Sequence, residues 1–209
     1  NGVDTGLLDG NAVHEAFVEV VAKIDPAFVI TTVVNDGGEA VDLFCGNWTT
    51  SHRAACDNYA SEHTINISEK RDLVVVSSGG FPHDINMIQA HKALDAASKA
   101  CREGGTIVFL AECADGLGRA DFLKWFEAEN TAALAENLCE KYQVNGQTAW
   151  SLLRKAERFD IKIITDLHDA ATQKMRLERI DTAQFADILS GATSGYIFPN
   201  GAKFNISLP

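Results

Sequence analysis

The sequence predicts an α/β protein: a mixed, mostly parallel sheet flanked by helices, preceded by an N-terminal helix and a β-hairpin. Three observations predict it. Residues 73–76 (LVVV), 106–110 (TIVFL) and 161–165 (IKIIT) have the length and β-branched content of buried strands. Stretches with helical periodicity alternate with these runs, the order that gives a parallel sheet covered by helices. The first two runs lead into polar, glycine-bearing segments, Ser77-Ser78-Gly79-Gly80 and 111–118 (AECADGLG), and open α/β sheets place ligands at such strand ends.

Taken in order, residues 1–10 read as a glycine-rich linker. Asn11 caps a helix over about 12–24 whose Val13, Phe17, Val20, Val21 and Ile24 are expected to face inward. Asp25-Pro26 stops it. Residues 28–34 and 40–45 form a hairpin around Asn35-Asp36-Gly37-Gly38. Thr49 or Thr50 caps a helix to about His63, and residues 65–67 are extended. After the central strand, Pro82 sets a turn, and Asp84 or Asn86 caps a helix expected to run to Gly104-Gly105. Its stripe of Met87, Ala90, His91, Leu94, Ala97 and Cys101 is expected in the core, with Ser98 at the edge. Helices follow at about 119–128, 131–142 and 148–158, the last with Trp150, Leu153, Ala156 and Glu157 along one side. Helical stretches at about 168–175 and 182–190 lead to a strand at 196–198, a turn at 199–201 and a last short strand near 204–208.

The chain has 209 residues, 46% of them hydrophobic and 22% charged, enough apolar material for one large domain or two small ones. The formal net charge of −11 argues against a nucleic-acid or anionic-membrane partner. Cys45, Cys56, Cys101, Cys113 and Cys139 are odd in number and show no CxxC spacing, which suits reduced thiols in the cytoplasm. No apolar run approaches membrane-spanning length, and the N-terminus lacks the features of a signal peptide. The first residue is not Met, so the chain is expected to be a cut or processed piece of a longer protein.

No dinucleotide fingerprint, P-loop, nucleophile elbow or paired metal-histidine spacing is present. Of the six histidines only His83, in the glycine turn, is worth following. Glu112 and Asp115 could act as bases or ligands, although loop carboxylates commonly serve as caps. The pattern does offer an anion pocket. Gly79 and Gly80 let the backbone approach a ligand, and free N–H groups face it from a helix start. Gln89 and Lys92, three apart, are neighbours on a helix face bordered by Ile85 and Ile88. The same face also suits a wet lysine and a solvated amide.

Residues 10–17 (GNAVHEAF), 77–97 (SSGGFPHDINMIQAHKALDAA) and 104–118 (GGTIVFLAECADGLG) together resemble the second half of nickel-dependent lactate racemase and its homologues. The middle motif is long and specific, and the resemblance covers most of the chain, weakening after about residue 165. It implies a two-domain enzyme. Residues 1–10 would link to a missing N-terminal domain, and 11–209 would be the C-terminal substrate-closing α/β domain. The missing domain would carry a nickel pincer nucleotide, a nickel-ligating histidine and an acid–base histidine pair. No cofactor or metal is expected on this chain. The resemblance places the substrate-holding glutamine and lysine at Gln89 and Lys92, and the pocket read from the residue pattern adds Gly79 and Gly80 as substrate-binding positions. The implied reaction is racemisation or epimerisation of a 2-hydroxy acid by hydride transfer, with this domain clamping the substrate carboxylate. The isolated chain is expected to be inactive. Lactate-specific members have a tyrosine where this chain has Ile88, and a tryptophan near its 145–148 (NGQT). Many homologues carry a glycine and a His-Lys pair there. These departures point to a different 2-hydroxy acid. They also motivate the alternative of a non-catalytic anion- or partner-binding domain.

Overall fold

The computed structural model describes residues 2–35 and 37–208. Contacts divide the chain into two units, residues 1–65 and 66–209. Residues 11–65, which the sequence reading joined to everything after them, thus fall with the linker in a unit of their own.

In the first unit the Asn11 carboxamide accepts hydrogen bonds from the Val13 and His14 N–H groups and donates to the Leu7 carbonyl at 3.0 Å. That cap starts α1 (Ala12–Ile24), and Asp25, in the left-handed region at φ 46°, closes it. Strands β1 (Val29–Val34) and β2 (Ala40–Gly46) form the expected antiparallel hairpin, Ile30 opposite Cys45 and Thr32 opposite Leu43. Asn35 organises the turn by accepting from the Gly37 and Glu39 N–H groups. Asp36 of the expected turn lies outside the described residues. Helix α2 (Trp48–His63) packs on both strands. Its cap is Asn47, whose side chain accepts from the N–H groups of Thr49 and Thr50, the two residues the sequence favoured for the role. One expectation is overturned. Val13, Phe17, Val20 and Ile24 of α1 are exposed, and only Val21 is half-buried. The spacing of the stripe is helical, as read, but no described residue covers it.

Strand β3 (Thr64–Asn66) leads into the second unit. Its sheet has five strands in the order β7-β6-β5-β4-β8, and every pairing is parallel. These are β4 (Arg71–Ser77), β5 (Cys101–Leu110), β6 (Asp160–Ile164), β7 (Glu178–Arg179) and β8 (Tyr196–Phe198). The two-residue edge strand β7 is too short to leave a sequence pattern. Between the strands run α3 (Met87–Ala90), α4 (Leu94–Ala100), α5 (Thr131–Glu140), α6 (Val144–Ala156), α7 (Asp169–Lys174) and α8 (Thr182–Gly191), with β9 (Asn205–Ser207) near the end. Val74, Val76, Ile107, Val108, Phe109 and Ile163 are wholly buried, as continuous apolar runs in a doubly covered sheet should be. Phe185 and Ile188 of α8 cover the face carrying Leu73, Val75 and Val108.

The long helix expected up to Gly104-Gly105 is broken and shorter. α3 passes through a 3-10 turn, His91–Ala93, into α4, which ends at Ala100, and β5 already begins at Cys101. The glycines serve the sheet instead of a helix end. The Gly104 N–H donates to the Arg158 carbonyl, and a Cβ on Gly105 would lie 2.9 Å from the Asp72 carbonyl oxygen on the neighbouring strand. The expected core stripe nevertheless holds, since Met87, Ala90, His91, Leu94, Ala97 and Cys101 are all buried. The segment near 119–128 is a 3-10 turn, Phe122–Glu127, in place of an α-helix. In α6 the buried side runs through Asn145, Gly146, Ala149, Leu152 and Leu153. Trp150 is only half-buried, and Glu157 is exposed and accepts from the Thr131 N–H and hydroxyl.

Candidate functional site

The C-terminal ends of β4, β5 and β6 lie side by side because their registers match: Ser77 pairs with Leu110, and Leu110 with Ile164. Beyond them two loops are stitched together by backbone hydrogen bonds. Cys113 N–H donates to the Asp84 carbonyl at 3.0 Å, Asp115 N–H to Ile85 at 2.7 Å, and Met87 N–H to Gly116 at 3.0 Å. Gly79 and Gly80 have φ of +96° and +76°, which side chains with a Cβ rarely adopt. A Cβ on Gly79 would also lie 2.7 Å from the Asn200 carboxamide, which would have to move aside.

An open cavity of about 300 Å³ sits at these strand ends, lined by Ser77, Gly80, Asp84, Glu112, Thr165 and Asp166 among others. Three of these residues carry carboxylates. Asp84, 7% exposed, does not cap the following helix; its carboxylate accepts from the Glu112 N–H at 3.3 Å. The helix cap is Asn86, accepting from Gln89 N–H at 3.1 Å. At this helix start the N–H groups of Met87 and Gln89 are engaged internally, and the adjoining cavity is acidic. Thr165 and Asp166 were missed by sequence reasoning, although the strand-end rule applied to the third strand would have found them. The Thr165 hydroxyl donates to the Glu112 carbonyl at 3.1 Å and joins the two loops.

Gln89 and Lys92 are not part of that cavity's lining. Both are exposed and they touch: Lys92 Nζ donates to Gln89 Oε1 at 2.6 Å. Ile85 and Ile88 beside them are half-buried. Because an ammonium only donates, the contact fixes the glutamine's orientation and turns its NH₂ group outward as a free pair of donors. The Lys92 ammonium keeps two further donors. A neutral amide and a point charge thus present hydrogen-bond donors together, a pairing suited to a carboxylate and a neighbouring hydroxyl.

The turn carrying the pair is held from beneath by His91. This buried imidazole bonds through Nδ1 to the Ile88 carbonyl at 2.8 Å, which requires the proton on Nδ1. Burial, and then the nearby Lys155 ammonium, lower its pKa to about 4. Lys155 is itself buried and held by Asp95 at 2.7 Å and the Ser151 hydroxyl at 2.8 Å. Burial raises the Cys113 thiol to about 11, which leaves it unreactive at neutral pH. His83 and Asp115 are exposed. The described residues contain no group of three or more His, Cys, Asp or Glu side chains arranged to hold a metal ion, and no helix long and apolar enough to cross a membrane.

An open five-stranded parallel sheet with helices between its strands and a polar loop cluster at its strand ends defines an α/β domain. Residues 67–195 match the model of the lactate racemase C-terminal domain, and the chain belongs to that family. It is 34% identical over 123 residues to a lactate racemase of Thermoanaerobacterium thermosaccharolyticum, covering 59% of this chain and 29% of that protein. It is 31% identical over 118 residues to a lactate racemase of Lactiplantibacillus plantarum, covering 56% and 28% respectively. The solved lactate racemase apoprotein from T. thermosaccharolyticum superposes with a TM-score of 0.90 at 25% identity, over 99% of this chain and 52% of that one. A Thermotoga maritima protein of known structure shares the fold, with a TM-score of 0.68 at 17% identity. The chain therefore spans about half of the racemase chain it superposes on.

Proposed function

We propose that this chain is the substrate-closing part of a 2-hydroxyacid racemase or epimerase whose preceding domain carries a nickel pincer nucleotide. The observation that carries the reading is the Lys92–Gln89 pair, at the two positions where the family resemblance expects the substrate to be held. Lys92 neutralises the substrate carboxylate, and the Gln89 amide donates to a carboxylate oxygen or to the hydroxyl on C2. Gly79 and Gly80 act indirectly, setting the loop that leads to the helix. Ile85 and Ile88 form the apolar border that domain closure would dry, and a dry cleft strengthens the Lys92–carboxylate attraction. The nickel cofactor supplies the hydride-accepting chemistry when bound. The family resemblance assigns the residues that hold it to the preceding domain.

Ile88, which replaces the tyrosine of lactate-specific members, leaves an apolar wall where a phenol would stand. This favours a 2-hydroxy acid other than lactate. The five free thiols fit a reducing cytoplasm. The nickel content of the full-length gene product, made together with the cofactor-assembly enzymes, tests the reading. About one nickel per chain is expected. A protein that stays nickel-free under those conditions would favour a non-catalytic anion-binding domain.

A further inference from the structure

The first unit carries apolar surface that water does not tolerate in a free-standing fold. On α1, Val13, Phe17, Val20 and Ile24 form one stripe, and Phe17 and Ile24 are 67% and 73% exposed. On the hairpin, the face with half-buried Thr31 and buried Val33 is the sheltered one. The opposite face carries Ile30 and Leu43, 64% and 62% exposed. An antiparallel pair with one wet face alternates apolar and polar residues. These strands are apolar on both sides, the pattern of strands covered twice. A sheet of two strands is also marginal by itself in water. Exposed apolar faces of this kind mark interfaces.

Two facts indicate what covers the patch. The lactate racemase C-terminal domain model begins at residue 67, beyond this unit. The superposition takes in 99% of this chain but only 52% of the racemase chain, so a comparable length of polypeptide lies outside residues 1–209 in the relative. We infer that the outer face of the hairpin and the α1 stripe are the seat of the preceding domain of the same polypeptide. Residues 11–65 complete that domain's core and do not belong to the substrate-closing domain. The inference rests on the two-domain reading above, but its test needs neither nickel nor turnover.

The test is hydroxyl-radical footprinting of the full-length gene product, folded and in urea, with its mass followed by light scattering. Phe17, Ile24 and Leu43 are expected to be oxidised at least about tenfold more slowly in the folded protein, since a covered side chain is in contact on all sides. That protection should not change on dilution. Rates within about twofold of the unfolded protein would overturn the inference. Protection lost on dilution as the mass halves would also overturn it, because it would assign the patch to a second copy. Protected residues in a protein that binds no nickel would sink the enzyme reading and leave the seat standing.

Discussion

Lys92→Ala in the full-length enzyme is expected to lower kcat/KM for its 2-hydroxy acid by at least about tenfold, or about 1.4 kcal/mol of transition-state binding. The reason is the donor count. Lys92 brings the only formal charge in its contact with Gln89, and removing it leaves an amide to hold a carboxylate against the solvent. The loss should appear mainly in KM, because the carboxylate keeps its charge throughout the reaction and is held alike in ground and transition states. Lys92→Arg should recover part of it. Gln89→Ala should cost less, since it removes a neutral hydrogen bond and frees the ammonium to move. Steady-state kinetics on the three variants decides the matter. Activity of Lys92→Ala within twofold of wild type would remove Lys92 from the site.

Acid should destabilise the fold through His91. Its pKa is about 4 in the folded protein against the ordinary 6.5, so the unfolded chain binds the proton more readily. Above pH 6.5 both states are neutral and the imidazole adds no pH dependence. As pH falls below 6.5 the unfolded state takes up its proton first, and stability drops until the folded form also protonates near pH 4. The total is on the order of 3 kcal/mol. The groups around the ring act in the same sense or weakly against it: Lys155 on α6 and Lys92 disfavour the charged form, Asp95 on α4 favours it, and burial outweighs them all. Urea midpoints for wild type and His91→Gln, measured between pH 7.5 and 4.5, isolate the effect from that of the carboxylates. The variant is expected to lose less stability across that range by about 2 kcal/mol or more. Parallel pH profiles would show that His91 is not buried as a neutral ring.

Much of this fold could be read from the chain because its strands are buried on both faces. Runs such as 73–76 and 106–110 are short, rich in β-branched residues and followed by glycine-bearing turns, which marks them as buried strands, and the sheet follows from them. The Met87-to-Cys101 stripe was equally plain, since burial follows periodicity even where the helix breaks at His91. What periodicity could not show was purpose. The glycines at 104 and 105 read as a helix end, but the start of β5 needs a residue without Cβ beside the Asp72 carbonyl. The α1 stripe read as inward because apolar residues usually are, yet Val13, Phe17, Val20 and Ile24 are exposed. At the site, Gln89 and Lys92 were legible as neighbours through their spacing. The acidic cavity was not, because it gathers Asp84, Glu112 and Asp166 from three strand ends far apart in sequence.

Chiral turnover by the full-length gene product tests the central claim most directly. The nickel-loaded enzyme would be given single enantiomers from a panel of 2-hydroxy acids, and the opposite configuration at C2 followed by chiral chromatography. Conversion of at least one acid in both directions, to the same equilibrium mixture, is the predicted result. A nickel-loaded protein that inverts none of a panel spanning small, acidic, aromatic and polyhydroxylated 2-hydroxy acids would contradict it.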